Sequence, residues 1–245
     1  MKQVLLTIEE NTPVAQDVYR MVLAGDVSAV TAPGQFLNLA LTGKYLRRPI
    51  SVCDCDGQNV TILYKVVGKG TAQMADMNAG ERLDVLTGLG NGFDVSAARG
   101  HSLLIGGGIG AAPLYWLARE LKARGKKTRA VLGFNSAKDV YYQKEFAALC
   151  DRVVIATADG SEGVKGFVTD AMAGLSCDYF YTCGPEPMLK AVYKASESDG
   201  EFSFEERMGC GFGACMGCSC KTITGYKRIC RDGPVLRKGE IAWAD

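Results

Sequence analysis

Four cysteines near the carboxy-terminal end carry the most specific chemistry in this chain. In the run Met-Gly-Cys-Gly-Phe-Gly-Ala-Cys-Met-Gly-Cys-Ser-Cys over residues 208–220, Cys210, Cys215 and Cys218 stand at C-x4-C-x2-C spacing. Cys230 follows with eleven residues between it and Cys218. This is the plant-type ligand spacing of a 2Fe–2S cluster. Thiolates are the soft ligands such a cluster needs, and a tight loop must turn three of them to one centre. Gly209, Gly211, Gly213 and Gly217 supply that freedom, because glycine tolerates positive φ angles. A cluster of this kind passes one electron at a time, so the expected role is electron movement.

Three other uses of these thiols compete. A zinc site of four cysteines would show two C-x2-C pairs separated by about 15–20 residues, and here there is one such pair. Disulfides are disfavoured by the absence of a charged-then-apolar signal peptide and by a length that needs no staples. Buried structural thiols would not account for the glycines between them. Cys220 lies two residues from Cys218, too close to face the same metal from an extended segment, and is left out of the ligand set.

Three glycine-bearing turns suit anionic or flat ligands. Gly106, Gly107, Gly108, Ile109, Gly110 and Ala111 follow an apolar run and lead into Pro113. A turn between strand and helix presents backbone N–H groups and the positive helix end to a pyrophosphate, and proline suits the first helical turn. A glycine turn packed closely for structure alone is the plain alternative. The next strand ends Gly133-Phe134-Asn135, without the acidic residue that would grip a ribose, and Asp139 lies farther on. Cys183, Gly184 and Pro185 end another strand, where Gly184 permits close approach of a ring and Cys183 is expected to aim at it. Asp159 lies on the same rim. An ordinary strand-to-helix turn is the bland reading of the first, and a plain turn that of the second. Arg48, Pro49, Ile50 and Ser51 open a strand in the first half, where an arginine could pair with phosphate and a serine with a ring nitrogen. The run 68–71, Gly-Lys-Gly-Thr, adds a second anion-binding turn. His101, the one histidine, is read as a surface residue without a role, and no side chain stands out as a catalytic acid or base.

These residues need elements to position them. The chain has 245 residues, 47% of them hydrophobic, with net charge +1, thirty glycines and ten cysteines. That length and apolar content suit one large or two small domains. The charge gives no footprint for nucleic acid or anionic lipid. Uncharged residues 102–118 are broken by glycines and too short for a membrane span. Ten cysteines without a secretion signal fit a reducing cytoplasm. Short runs at 4–9, 18–24, 35–41, 50–53, 60–67 and 82–86, separated by turn residues such as Asn91-Gly92, predict a small antiparallel barrel over 1–97 with one helix at 71–77. From 98 to 200, strands at 103–105, 129–134, 152–156 and 179–182 alternate with helices at 113–124, 142–149, 167–173 and 187–197. That alternation predicts an α/β domain with a parallel sheet. Residues 201–245 carry the cluster cysteines and look too small for a core of their own, so the cluster is expected to hold them together.

Taken in order, these motifs resemble the ferredoxin–NADP⁺ reductase superfamily, in which an FAD-binding barrel precedes a nicotinamide domain. Arg48–Ser51 is similar to its flavin signature, Gly106–Pro113 to its pyrophosphate loop and Cys183-Gly184-Pro185 to its nicotinamide-ring turn. The cluster module after the nicotinamide domain resembles the electron-transfer subunits of class B dihydroorotate dehydrogenases. The resemblance covers essentially the whole chain. It implies FAD contacts at Arg48–Ser51, Leu63, Tyr64, Lys65, Gly70 and Thr71, one 2Fe–2S cluster, and NAD as co-substrate. It also implies an FMN-bearing catalytic subunit in a heterotetramer of two of each chain. The barrel, nucleotide domain and cluster module use all 245 residues, so the oxidised substrate is expected on that partner. Electrons would then pass singly from the partner's flavin through the cluster to FAD and leave as a hydride to NAD⁺ in pyrimidine biosynthesis. Similar layouts serve NADPH-dependent ferredoxin oxidoreductases, sulfide dehydrogenases and soluble hydrogenases. A reading of another class is a non-enzymatic iron–sulfur carrier or interaction module with a degenerate nucleotide fold.

Overall fold

A computed structural model describes residues 1–243. Six antiparallel strands, β1 (Lys2–Ala15), β2 (Val18–Ala24), β3 (Phe36–Leu39), β4 (Arg48–Cys55), β5 (Asn59–Lys65) and β6 (Arg82–Leu89), close a barrel in the order β1-β2-β5-β4-β3-β6. Closure leaves no free edge, and alternate residues fill the interior. Leu6, Ile8, Leu23, Leu37, Leu39, Ile62 and Val85 meet there without solvent exposure. Helix α1 (Lys69–Ala75) plugs one mouth with Met74. It starts two residues before the expected 71, because the Thr71 hydroxyl accepts the N–H groups of Val67 and Gly68 and fixes the first turn.

The second layer is a seven-stranded sheet in the order β10-β9-β8-β7-β11-β12-β15. Its strands are β7 (His101–Gly107), β8 (Lys127–Phe134), β9 (Arg152–Thr157), β10 (Val164–Lys165), β11 (Tyr179–Cys183), β12 (Gly200–Ser203) and β15 (Val235–Arg237). All pair in parallel except β15, which runs antiparallel to β12. Helices α2 (Ala112–Ala123), α3 (Gln143–Leu149), α4 (Val168–Met172) and α5 (Glu186–Ala195) connect them. Helix α3 begins one residue later than expected because Tyr142 sits at φ +57°, in the left-handed region, and cannot be a helical residue. His101 is half-buried, not simply a surface residue: its N–H donates to Asp178 and its Nδ1 is buried without a partner.

The cluster segment is less independent than its length suggests. A cut at 200/201 passes through β12, and β15 returns the chain to the same sheet, so sheet pairing as well as any cluster secures it. Between these strands lie the hairpin β13 (Ser219–Thr222) and β14 (Gly225–Arg228) and the short helix α6 (Ile229–Asp232). Asn91, expected in a plain turn with Gly92, holds this segment to the barrel. Its Nδ2 donates to the Val235 carbonyl at 2.7 Å, its Oδ1 accepts the Val235 N–H at 3.1 Å, and its own N–H donates to the Gly233 carbonyl at 2.8 Å. The barrel and α/β layer also share a core. Val18, Cys53 and Leu63 of the barrel pack with Leu114, Leu117 and Tyr181, and Trp116 of α2 reaches into the barrel core. Arg119 of α2 pairs with Asp54 of β4 at 2.8 Å.

One buried carboxylate lies where the modules meet. Glu201 on β12 is 3% exposed and accepts the N–H of Asp94, in the segment joining the barrel to the sheet, at 2.9 Å. Burial pushes its carboxyl from 4.5 up to about 7, against the pull of the Asp94 N–H and of Arg237, while the Asp94 carboxylate adds to the rise. The folded state therefore binds this proton more tightly than the unfolded chain, and stability falls as pH rises from 4.5 through 7. Glu201→Gln keeps the acceptor and removes the charge. It is expected to match the parent near pH 4 and to exceed it by about 3 kcal/mol at pH 8. Urea unfolding at both pH values checks this, and an equal effect at both would refute it.

Candidate functional site

The cluster loop is shaped by close contacts as much as by glycine freedom. Gly211 and Gly213 adopt φ +79° and +93°, and Met216 adopts φ +60°. A side chain on Gly213 would meet Arg231 of α6, and one on Gly211 would meet Asn38 of β3. Arg228 donates to the Gly213 carbonyl at 3.0 Å and pairs with Asp232, fastening the loop to α6.

The four sulfurs fall into two pairs. Cys210 and Cys215 each accept the other's N–H at 3.4 Å, on the exposed side. Cys218 accepts the Cys230 N–H at 3.4 Å, and both are 2% exposed in the core beneath. Two pairs fit a two-iron centre with two thiolates on each iron. Partial burial works to raise the Cys210 thiol, but the N–H groups of Phe212, Cys215 and Ala214 outweigh it and bring it down to about 6. Burial pushes the Cys230 thiol up to about 12, and the Cys218 sulfur adds to this. A bound cation would be needed to hold both as thiolates. Cys220 lies on β13 opposite Lys227.

A cavity of about 500 Å³ opens at the carboxyl ends of β7, β8 and β9, where ligands gather in open α/β sheets. Gly107, Gly108, Phe134, Asp139, Pro185 and Met188 are among its walls, and Lys65 enters from the barrel. Gly108, at φ +53°, faces open space, and its carbonyl accepts the Tyr141 hydroxyl at 2.9 Å. Gly110 lies directly on the Cys183 carbonyl and Gly184, so a Cβ there would come within 2.5 Å of backbone. Gly106 is likewise pressed against Ala111. The two turns expected from sequence thus form one wall. Cys183 itself is 1% exposed, and burial holds its thiol neutral. Asp159 stands outside the cavity wall, where its carboxylate accepts the Ser161 N–H and hydroxyl in its own turn, while the neighbouring Ala158 lines the wall. Asp139, farther along the chain than the usual acidic position, does line the cavity. A turn held by Ser136 brings it to Lys65 at 3.0 Å. The Ser-x-x-Asp capping pattern at 136–139 was the signal available for it.

At the barrel mouth, Arg48 and Gly70 meet: a Cβ on Gly70 would lie 2.2 Å from Arg48 Nε. The guanidinium therefore rests on the first turn of α1, where both can face one anion. Pro49, Ile50 and Ser51 continue along β4, half-buried. Of the β5 residues, Leu63 faces the shared core between barrel and sheet. Tyr64 turns into the barrel, stacks on Tyr19 and donates its hydroxyl to Asn11 at 2.8 Å, which leaves only its backbone facing outwards.

Two family models match the chain. The iron-sulfur cluster binding domain of dihydroorotate dehydrogenase B matches residues 205–242, and the oxidoreductase NAD-binding domain matches residues 104–194. The dihydroorotate dehydrogenase B (NAD(+)) electron transfer subunit of Geobacillus sp. (strain WCH70) is 43% identical over 98% of this chain and 99% of its own length. That of Shouchella clausii (strain KSM-K16) is 46% identical over 98% of each. Among solved structures, a chain of an NADH-dependent reduced ferredoxin–NADP oxidoreductase, studied for flavin-based electron bifurcation, superposes with TM-score 0.89 at 31% identity, covering 98% of this chain and 90% of that one. With full-length identity of this order to relatives of one kind, the chain belongs to the family of dihydroorotate dehydrogenase B electron-transfer subunits.

Proposed function

We propose that this chain carries electrons from an FMN-bearing dihydroorotate dehydrogenase catalytic subunit to NAD⁺, in a cytoplasmic heterotetramer of two of each chain that serves pyrimidine biosynthesis. The observation that carries this is the presence of three sites in one chain whose modules pack on one another: paired thiols, barrel mouth and dinucleotide cavity. Residues 1–97 hold FAD through Arg48, Pro49, Ile50, Ser51, the backbone of Leu63–Lys65, Gly70 and Thr71. Residues 98–200 hold NAD through Gly106, Gly108, Gly110, Cys183, Gly184 and Pro185, with Asp159 at the outer rim. Residues 201–245 hold the 2Fe–2S cluster through Cys210, Cys215, Cys218 and Cys230. When bound, a flavin converts one-electron into two-electron traffic, which a cluster and a nicotinamide cannot exchange directly.

The protein's own part is to orient and to exclude water. The Gly110–Gly184 contact sets the depth of the ring pocket, Tyr141 fixes the Gly108 turn, and Lys65 and Asp139 tie barrel to cavity. The Cys183 side chain is neutral and buried outside the cavity wall, and it moves no proton. Among the described residues no helix is long and apolar enough to cross a membrane. A ferredoxin-linked role is the second reading, supported by the 31% identical structure, but the curated relatives at 43–46% favour dihydroorotate.

The test is spectral. NADH should bleach both flavin and cluster absorbance in the purified chain, and Arg48→Ala should lose FAD on dialysis while the cluster spectrum persists. A charge-assisted hydrogen bond contributes about 1.5–3 kcal/mol, roughly ten- to a hundredfold in FAD affinity. Full FAD content in Arg48→Ala would reduce Arg48 to a turn residue. Absence of flavin and cluster absorbance in the parent would remove the relay.

A further inference from the structure

Asn38 is the one polar residue of β3, between Leu37 and Leu39, and it is 1% exposed. Leu37 and Leu39 fill the barrel interior, while Phe36 packs outside it in the core that contains Cys218 and Cys230. Alternation along the strand turns Asn38 outwards with Phe36. There its Nδ2 donates to the Cys210 carbonyl at 3.3 Å. The amide occupies the space a Gly211 side chain would need, 2.3 Å from an ideal Cβ. On the backbone side, Asn38 pairs with Pro49 and Phe36 with Ser51 of β4, and the Asn38 carbonyl accepts Arg47 Nη1 at 3.3 Å. One residue thus touches the cluster loop through its side chain and the Arg48–Ser51 strand through its backbone.

This placement carries a cost. Asn38 Oδ1 is buried without a hydrogen-bond partner. Buried polar atoms are ordinarily paired, and a leucine would fill the same space without stranding an acceptor. An amide at such a position breaks the local rule for an apolar strand, and such breaks concentrate where function requires them.

We propose that Asn38 is a positioning residue for electron transfer, whose side-chain amide fixes the Cys210 side of the cluster loop against the flavin-binding strand. The proposal rests on the reading of Cys210 as a cluster ligand and of Arg48–Ser51 as the flavin strand. Asn38 leaves the stoichiometry unchanged. Two electrons supplied singly by the catalytic subunit's flavin, with one proton, leave as one hydride to NAD⁺, and Asn38 neither gives nor takes a proton. What it sets is the separation and orientation of the two centres.

The full chain, loaded with FAD and cluster, is mixed rapidly with NADH, and flavin and cluster bleaching are followed separately. The electron paramagnetic resonance spectrum of the reduced cluster is recorded beside them. Asn38→Leu should leave the flavin phase unchanged, slow the cluster phase at least tenfold and alter the cluster spectrum. Asn38→Gln, which keeps an amide donor, should recover most of the rate. Loss of the cluster alone from Asn38→Leu, with FAD retained and the cluster kept in Asn38→Gln, would support the same role. Parental cluster kinetics and spectrum in Asn38→Leu would overturn it. So would loss of both cofactors from both variants, which would make Asn38 a folding residue. A parent chain without cluster absorbance would instead sink the reading of the cysteines, which separates the two failures.

Discussion

Cys230→Ser is expected to abolish cluster-dependent electron transfer while leaving NADH oxidation by artificial dyes in place. The same holds for Cys218→Ser, and serine at Cys210 or Cys215 should at least badly weaken iron binding. A serine hydroxyl is a hard, weakly acidic donor that substitutes poorly for a thiolate. The effect should be greatest at the buried pair. Cys218 and Cys230 sit in the apolar core with Ile229, Leu236 and Phe202, where a lost iron leaves polar hydroxyls among hydrocarbon. Metal binding in so small a segment is also folding free energy. Loss of the cluster should therefore open the loop around 205–232 to hydrogen exchange. The exchange should stop at Val235, because β15 pairs with β12 and Asn91 holds Gly233 and Val235. Cys220→Ser should keep the full iron content. Iron measured at parental occupancy in Cys230→Ser, but lost from Cys220→Ser, would reverse the ligand choice.

That expected boundary of unfolding could not have been drawn from the sequence. Barrel strands announce themselves by alternation and turn residues, and β2 begins and ends where the pattern does, at Val18 and Ala24. The cysteine spacing and the Gly106–Ala111 turn are equally legible, because the ligand chemistry confines those residue types to local loops. Strands β12 and β15 are different. At four and three residues they are too short to show a period, and what makes them strands is pairing with each other and with β11. Asn91-Gly92 has the composition of a turn, yet the side chain acts as a strand partner to a segment 144 residues away. Asn38 and Asp139 were hidden for the same reason. A lone Asn in a strand or an Asp in a capping turn acquires its role only when tertiary packing brings Cys210 or Lys65 beside it. Local pattern names the candidate ligands, and long-range packing chooses what supports them.

The isolated chain is expected to oxidise NADH with artificial acceptors and to oxidise no dihydroorotate at any pH. On the proposed reading the three modules account for the described residues, and the dinucleotide takes the 500 Å³ cavity at the strand ends. The cavity's one carboxylate, Asp139, is paired with Lys65 and held below the usual carboxylate range by that contact and by Ser136 against the effect of burial, and the thiol of Cys183, outside its wall, is buried and neutral. Neither suits the removal of a carbon-bound proton, which asks for a base poised near the working pH. Addition of the FMN-bearing subunit should create NAD⁺-linked orotate formation, and Cys230→Ser should remove it again. On the proposed relay the electrons enter near Cys210 and Cys215, where large apolar side chains meet water: Phe212 is 44% and Met216 55% exposed, beside exposed Cys215. Large apolar side chains left in water at such a place mark a surface for a partner. Met216→Glu should therefore weaken assembly with the catalytic subunit and the coupled reaction together, while NADH-to-dye activity stays at the parental rate. Tight assembly of Met216→Glu would move the docking face elsewhere. Orotate formed by this chain alone would end the division of labour on which the relay depends.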